Sequence, residues 1–315
     1  MTIFVEQVVN LILINDFSKP QILEVEKEFL LVYKPPRMHS IPLVKSPGDN
    51  ILEWCSREFP EIKDLAGNDN RSDSQAPIPV IPVRPALEGG VLHRLDYETH
   101  GLMLVARTLH AMTFLIEQQK NGKTSKEYSA ITGEGTTILK GFPDEKPKLF
   151  FWVFREKRRS GDSVNIKSAF RPYGPGRKAV RPVVPNINVP YGNTLLVKNP
   201  DTDIALDGSR PYVTEIISAQ LFSPEGEVLS VSHELPEVEK PGLACFNIRI
   251  VKGFRHQIRS HLAWIGRPIL NDSVYGGITF GKGLLGLRAC SISFTDPSSG
   301  EKQSYSIPPL HLSEV

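Results

Sequence analysis

Asp96 stands in the densest run of polar and ionisable residues in the chain, His93-Arg94-Leu95-Asp96-Tyr97-Glu98-Thr99-His100-Gly101-Leu102. A carboxylate in such a run can attack as a nucleophile, bind a metal or cap a loop. For an isolated loop aspartate the cap is the commonest of these roles. A second cluster is Gly253-Phe254-Arg255-His256-Gln257-Ile258-Arg259-Ser260-His261-Leu262. Arg255 and Arg259 are four apart, which on a helix presents two guanidiniums to one side. Guanidiniums suit carboxylates or phosphates, although a plain pair of surface arginines fits the spacing equally well. His256 and His261 are five apart, about 140° around a helix. They do not share a face as metal ligands would, and each reads as a hydrogen-bonded structural histidine. Cys55, Cys245 and Cys290 have neither disulfide nor metal-ligand spacing. No metal site is expected. Neither a glycine-rich phosphate loop before a helix nor a Gly-x-Ser-x-Gly elbow occurs, so nucleotide and serine hydrolysis are poorly supported.

Several elements must position these residues. Residues 1–19 read as a short extension, and 20–315 as one catalytic domain with a long basic middle segment rich in proline and glycine. Phe29 to Tyr33 reads as a buried strand stopped by Lys34-Pro35-Pro36, because proline cannot donate to a ladder. Residues 67–90 carry the Gly, Asn, Asp, Ser and Pro of a surface loop. Val91 to Ala106 reads as a strand, a tight polar loop and a second strand. Thr108 is placed to cap a helix from Leu109 to about Lys120, closed by Asn121-Gly122. Tyr128 to Thr132 predicts a strand, and residues 133–212 look irregular. Phe246, Ile248 and Ile250 alternate with polar neighbours in a half-buried strand. Arg255 to Ile265 predicts a helix with Ile258, Leu262 and Ile265 on its apolar face and Gly266 as its left-handed cap. Strands and helices without a βαβ rhythm indicate an α+β fold.

Composition bounds the function more loosely. The chain has 315 residues, long enough for one large domain or two ordinary ones, with a net charge of +2. From Lys120 to Arg181 there are 15 basic and 6 acidic residues, a local excess of +9. Gathered on one face, that excess would attract phosphates; spread out, it is an ordinary solvated surface. No apolar run reaches the roughly 18 residues of a membrane span, and the N-terminus lacks the basic start and cleavage site of a signal peptide. A cytoplasmic protein with no membrane partner is expected.

Together the clusters resemble the RluA-type RNA pseudouridine synthases. HRLDYETHGL is similar to that family's His-Arg-Leu-Asp-x-x-Thr-Ser-Gly-Leu signature. Lys126-Glu127-Tyr128-Ser129-Ala130 resembles its Lys-x-Tyr-x-Ala strand. GFRHQIRSHLAWIGRPILNDSVYG resembles its Gly-Arg-Thr-His-Gln-Ile-Arg-x-His-Leu segment with the following Pro-Ile and Asp-x-x-Tyr-Gly. VYKPPRMHSIP is similar to an early Lys-Pro-x-Gly motif, and LLGLRACSISF to a late Leu-x-Ala strand. The resemblance runs from about Gln21 to Pro309, with the five motifs in the family's order. Arg37 replaces the Gly of the first motif, and Tyr97 stands where a basic residue is common. His100 replaces a Ser, and Phe254-Arg255 an Arg-Thr. These departures bear on substrate choice more than on chemistry. The stretch between Tyr128 and Gly253 is longer than the family norm, and no ribosomal-protein-type RNA-binding module is expected before Gln21.

The resemblance implies a mixed, mainly antiparallel central sheet and conversion of uridine to pseudouridine in structured RNA, ribosomal or transfer. It implies no cofactor, no DNA partner and a monomer. The reaction breaks the bond from uracil to ribose, turns the base and rejoins it through carbon, so nothing is oxidised. Asp96, Tyr128 and Arg259 take the catalytic positions. Asp96 supplies the carboxylate, as a nucleophile or a base. Arg259 opposes the desolvation that would otherwise neutralise it. Tyr128 supplies an aromatic wall for the uracil. Arg94, Ile258 and Leu287 take substrate-binding positions, with Arg94 holding a uridine flipped from its stack. Two other readings stay open. One is a non-catalytic RNA-binding protein on the same fold. The other, weaker because Glu98 is too near Asp96 in sequence to flank a substrate bond, is a nucleoside or glycoside hydrolase.

Overall fold

The computed structural model describes residues 10–43, 48–65, 88–135, 139–143, 163–183, 211–222, 228–229 and 242–315. Most of the loop expected over 67–90 lies outside these residues. In chain order the elements begin with β1 (Asn10–Leu11), β2 (Gln21–Val25), β3 (Phe29–Lys34), α1 (Ile51–Ser56), α2 (Glu61–Asp64) and β4 (His100–Ala106). There follow α3 (Leu109–Lys120), β5 (Ser125–Thr132), β6 (Val164–Tyr173), β7 (Ala179–Val183), β8 (Tyr212–Phe222) and β9 (Val228–Leu229). The last are β10 (Leu243–Ile250), α4 (Gln257–Trp264), β11 (Leu287–Thr295) and β12 (Lys302–Ser306). Most strand pairs are antiparallel, with β4 against β11 and β1 against β12 parallel. The fold is α+β with a mixed, mainly antiparallel sheet, as expected.

The chain divides into two compact units, one of Met1–Tyr128 with Leu287–Leu310, the other of Ser129–Gly286 with His311–Val315. In the first, β3 pairs β2 and β4, and β11 lies beside β4. All six residues of β3 are buried, which explains its nearly unbroken apolar sequence. Thr108 accepts a hydrogen bond from the Ala111 amide and starts α3 where the sequence placed it. Ala111, Met112, Leu115 and Ile116 of α3 join Phe29, Leu31, Leu104, Ile292 and Phe294 in one core cluster. Each such large apolar side chain contributes about 1.5–3 kcal/mol when fully buried. Gly101 has φ 127°, and a Cβ there would sit 2.2 Å from the Ala289 carbonyl oxygen. Only glycine lets β4 approach β11 at this register, Gly101 opposite Ala289.

In the second unit β8 lies between β10 and β6, and β7 pairs β6 at the edge. The hairpin β6–β7 corrects the reading of 133–212 as irregular. Its prolines concealed it. Residues 164–168 of β6 pair with β8, whereas residues 169–173 pair with β7. Pro172 therefore falls in a half with one neighbour, and Pro182 in an edge strand, where a missing N–H is tolerated. The expected helix at Arg255–Ile265 is shorter at its start. His256 has φ 56°, a left-handed value that α-helix cannot contain, so α4 begins at Gln257. Ile258, Leu262 and Ile265 are buried as expected, and Gly266 closes the helix at φ 82°.

Candidate active site around Asp96

The backbone on both sides of Asp96 is tied to the end of β3 and the segment that follows it. The Leu95 amide donates to Ser40 Oγ at 3.0 Å, and that hydroxyl donates to the Leu95 carbonyl at 2.9 Å. On the other side, the buried Lys34 ammonium donates to the Tyr97 carbonyl at 3.3 Å, and also to those of Pro35 at 3.0 Å and Met38 at 2.7 Å. The Thr99 amide closes the turn onto the Asp96 carbonyl at 3.1 Å. Asp96 itself is half-buried, between exposed Arg94 and exposed Tyr97. A partly accessible carboxylate on a loop fastened at both flanks is held in place before any ligand arrives. The strand expected to precede this loop is only a bridge, Val91 to Val105, so the polar run enters β4 at His100.

Burial pushes the Lys34 ammonium down to about 7, while the charges of Asp96 and Glu98 pull it back up. Tyr128, on β5, is 7% exposed. Its hydroxyl is shifted well up, first by burial, then by the negative charge of Asp96 and by Cys290. The phenol and the carboxylate thus share one electrostatic environment, and Tyr128 stays protonated. His100 is fully buried and held neutral by burial, Arg288 and Lys34. Neither of its ring nitrogens has a hydrogen-bond partner among the described residues. Arg94 lies 3.3 Å from Glu88, and most of its side chain is exposed. Leu287 is buried at the start of β11. Asp96, Tyr128, Arg94 and Leu287 therefore all fall in the first unit.

Arg259 and Ile258 belong to the second unit, on α4, where both are buried. Arg259 makes a two-bond contact to Asp272, Nε to Oδ2 at 2.7 Å and a terminal nitrogen to Oδ1 at 2.9 Å. Its guanidinium also lies 5.3 Å from the Tyr275 ring centre. Asp272 accepts in addition from the Val274 and Tyr275 amides. The four-residue spacing of Arg255 and Arg259, open to either reading, does not act on a helix, which starts only at Gln257. Arg255 precedes the helix, is exposed, and donates to the carbonyls of Arg177 and Ala179 on the β6–β7 hairpin. Phe254 stacks on Phe170 of β6 at 5.1 Å and 8°. The two residues that depart from the family segment therefore dock that hairpin. His261 is a structural histidine as anticipated, bonded at 2.8 Å to both Ser168 and Thr214, and burial pushes it down to about 3. His256 contacts the Tyr275 hydroxyl at 3.2 Å.

Sequence reasoning assigned no role to Lys34, Ser40 or Asp272. All three lay inside stretches already noticed, but their residue types and spacing did not single them out. Among the described residues no group of three or more His, Cys, Asp or Glu is placed to hold a metal. No described helix is long and apolar enough to cross a membrane.

Comparison with known proteins adds an independent line. The family model for RNA pseudouridylate synthase matches residues 28–264. The chain is 20% identical to the RNA pseudouridine synthase YjbO of Bacillus subtilis over 313 residues, 99% of this chain and 81% of that protein. It is 21% identical to ribosomal large subunit pseudouridine synthase D of Escherichia coli over 252 residues, 80% of this chain. The match spans about half of that protein's length, 51%. Among solved structures, human RNA pseudouridylate synthase domain containing 1 aligns over 93% of this chain and 85% of its own, with a TM-score of 0.49 and 15% identity.

Proposed function

The chain belongs to the RNA pseudouridylate synthase family, a family of isomerases, and from that premise we propose that it converts uridine to pseudouridine in structured RNA with Asp96 as the catalytic carboxylate. The observation that carries this reading is the Asp96 loop, fastened on one side through Ser40 and on the other through Lys34, with Tyr128 within reach of its charge. In the reaction the bond from ribose C1′ to uracil N1 breaks. The base turns, C5 bonds to C1′, and the proton lost from C5 is balanced by one gained at N1. Covalent attack and proton removal by a carboxylate both require it to be positioned at the reacting atoms, and a fixed loop holds it without reorganisation.

Tyr128 serves as the apolar wall that keeps the detached uracil from escaping, and its protonated hydroxyl remains a donor. On the motifs, Arg94 is assigned to holding the flipped nucleotide, and Leu287 and Ile258 are each assigned to substrate binding. Arg259 joins the catalytic set on its motif, with Asp272 holding its guanidinium. The name of the Escherichia coli relative assigns that protein to the large ribosomal subunit, so large-subunit ribosomal RNA is the first substrate to assay, with transfer RNA beside it. Purified protein incubated with these RNAs should produce pseudouridine at mapped positions and no free uracil. Free uracil without pseudouridine would instead mean hydrolysis. RNA binding with neither product would mean a non-catalytic binding protein.

A further inference from the structure

Two residues that depart from the family motifs flank the same short stretch after Asp96: Tyr97 follows it in the chain, and Arg37, sixty positions earlier than Tyr97, pairs with Glu98. Arg37 occupies a left-handed backbone position at φ 58°, which explains why the motif ordinarily carries glycine there. A strained non-glycine residue persists where its side chain has a use. That side chain is mostly exposed, with Nε 3.6 Å from Glu98 Oε2. An exposed ion pair of this kind contributes little by itself, so stability does not account for the strain.

Tyr97, the residue after Asp96, leaves 44% of its surface exposed. Its ring is backed by His39 at 4.6 Å between centroids and 38° between planes. Lys34 and Ser40, which fasten the loop, bracket Arg37 and His39 in sequence, so the segment is anchored inside while Arg37 is exposed and His39 half-buried. The result is an aromatic surface at Tyr97, one residue from the carboxylate, with a cation paired to the next residue, Glu98. Extracting a uridine from its stack deprives its neighbours of a stacking partner. An exposed aromatic ring replaces that partner for any base, and a guanidinium suits the adjoining phosphate.

We propose that Tyr97, backed by His39, is a stacking subsite for the base flanking the target uridine, with Arg37 contacting the phosphate between them. The subsite rests on the function proposed above. The test uses stem-loop RNAs spanning a mapped target, tritiated at uridine C5, with kcat/KM read from tritium release. One RNA is intact, and in others a flanking nucleotide is abasic. For the wild-type protein, removing the stacked base should lower kcat/KM by about 5- to 150-fold, the loss of one base–aromatic stack. Tyr97→Ala should lose a similar factor on intact RNA and nothing further on the abasic RNA, while Tyr97→Phe should retain near wild-type values on both. If Tyr97→Ala loses the same factor on both RNAs, it disturbs the loop and not a stack, and the subsite is wrong. Wild-type turnover by Tyr97→Ala would equally overturn it. If the wild-type protein releases no tritium from any RNA, the proposed function fails, and the subsite with it.

Discussion

At the scale of single residues, Arg259 and Asp272 show how a motif can be visible while its wiring is not. Both belong to a stretch whose likeness to the family was plain, yet nothing in thirteen positions of spacing announces that one holds the other. The pair is nearly inaccessible to water, with the Asp272 side chain fully buried. Asp272→Asn removes the carboxylate that takes two bonds from a buried guanidinium, and should destabilise the fold by about 3–5 kcal/mol. A shift of the denaturation midpoint at constant slope would measure it. Arg259→Lys keeps the charge but not the planar two-bond geometry, and should cost much of the turnover while RNA affinity changes far less. A lysine variant with wild-type turnover would remove Arg259 from the catalytic set. Lys34 makes a separate prediction. Its folded pKa, about 7, lies below the ordinary lysine value of 10.5. Between those limits the unfolded chain binds more protons than the folded one, so this group makes stability rise with pH across about 7 to 10.5. Lys34→Met should flatten that rise. An unchanged slope would mean that the ammonium keeps an ordinary affinity for its proton in the fold.

At the scale of elements, legibility followed the regularity of the local pattern. The helix α3 could be read from its cap to its closing glycine, because Thr108 and Gly122 each act within a few residues. The strands β3 and β10 were equally plain from their apolar run and their alternation. The β6–β7 hairpin was not, because its two halves answer to different neighbours and its prolines argue against a strand until those neighbours are known. The start of α4 was misjudged by two residues because a left-handed histidine leaves no sequence signature. The hairpin also carries a prediction. Residues 163–183 contain five basic residues and no acidic one, and Arg177 and Lys178 are exposed at its turn. If the turn meets phosphates, changing both to alanine should weaken RNA binding uniformly across sequences. It should also reduce the slope of log affinity against log salt by about 1–2. An unchanged slope would assign the turn to solvent.

At the scale of the whole molecule, a net charge of +2 conceals a strongly basic stretch from Lys120 to Arg181, so the remainder of the chain is net acidic. Composition alone therefore hides the partner, whereas five motifs in order reveal the family. Within that family, the account of the chemistry turns on one carboxylate. Asp96→Asn conserves shape and hydrogen-bonding reach but removes the charge and the nucleophilic oxygen. Tritium at C5 of uridine is released when that carbon takes over the bond to ribose, so its release counts turnovers. The wild-type protein should release tritium from a mapped RNA target, and the Asn variant should fold and bind that RNA yet release essentially none. Release by the Asn variant at near the wild-type rate would contradict the account.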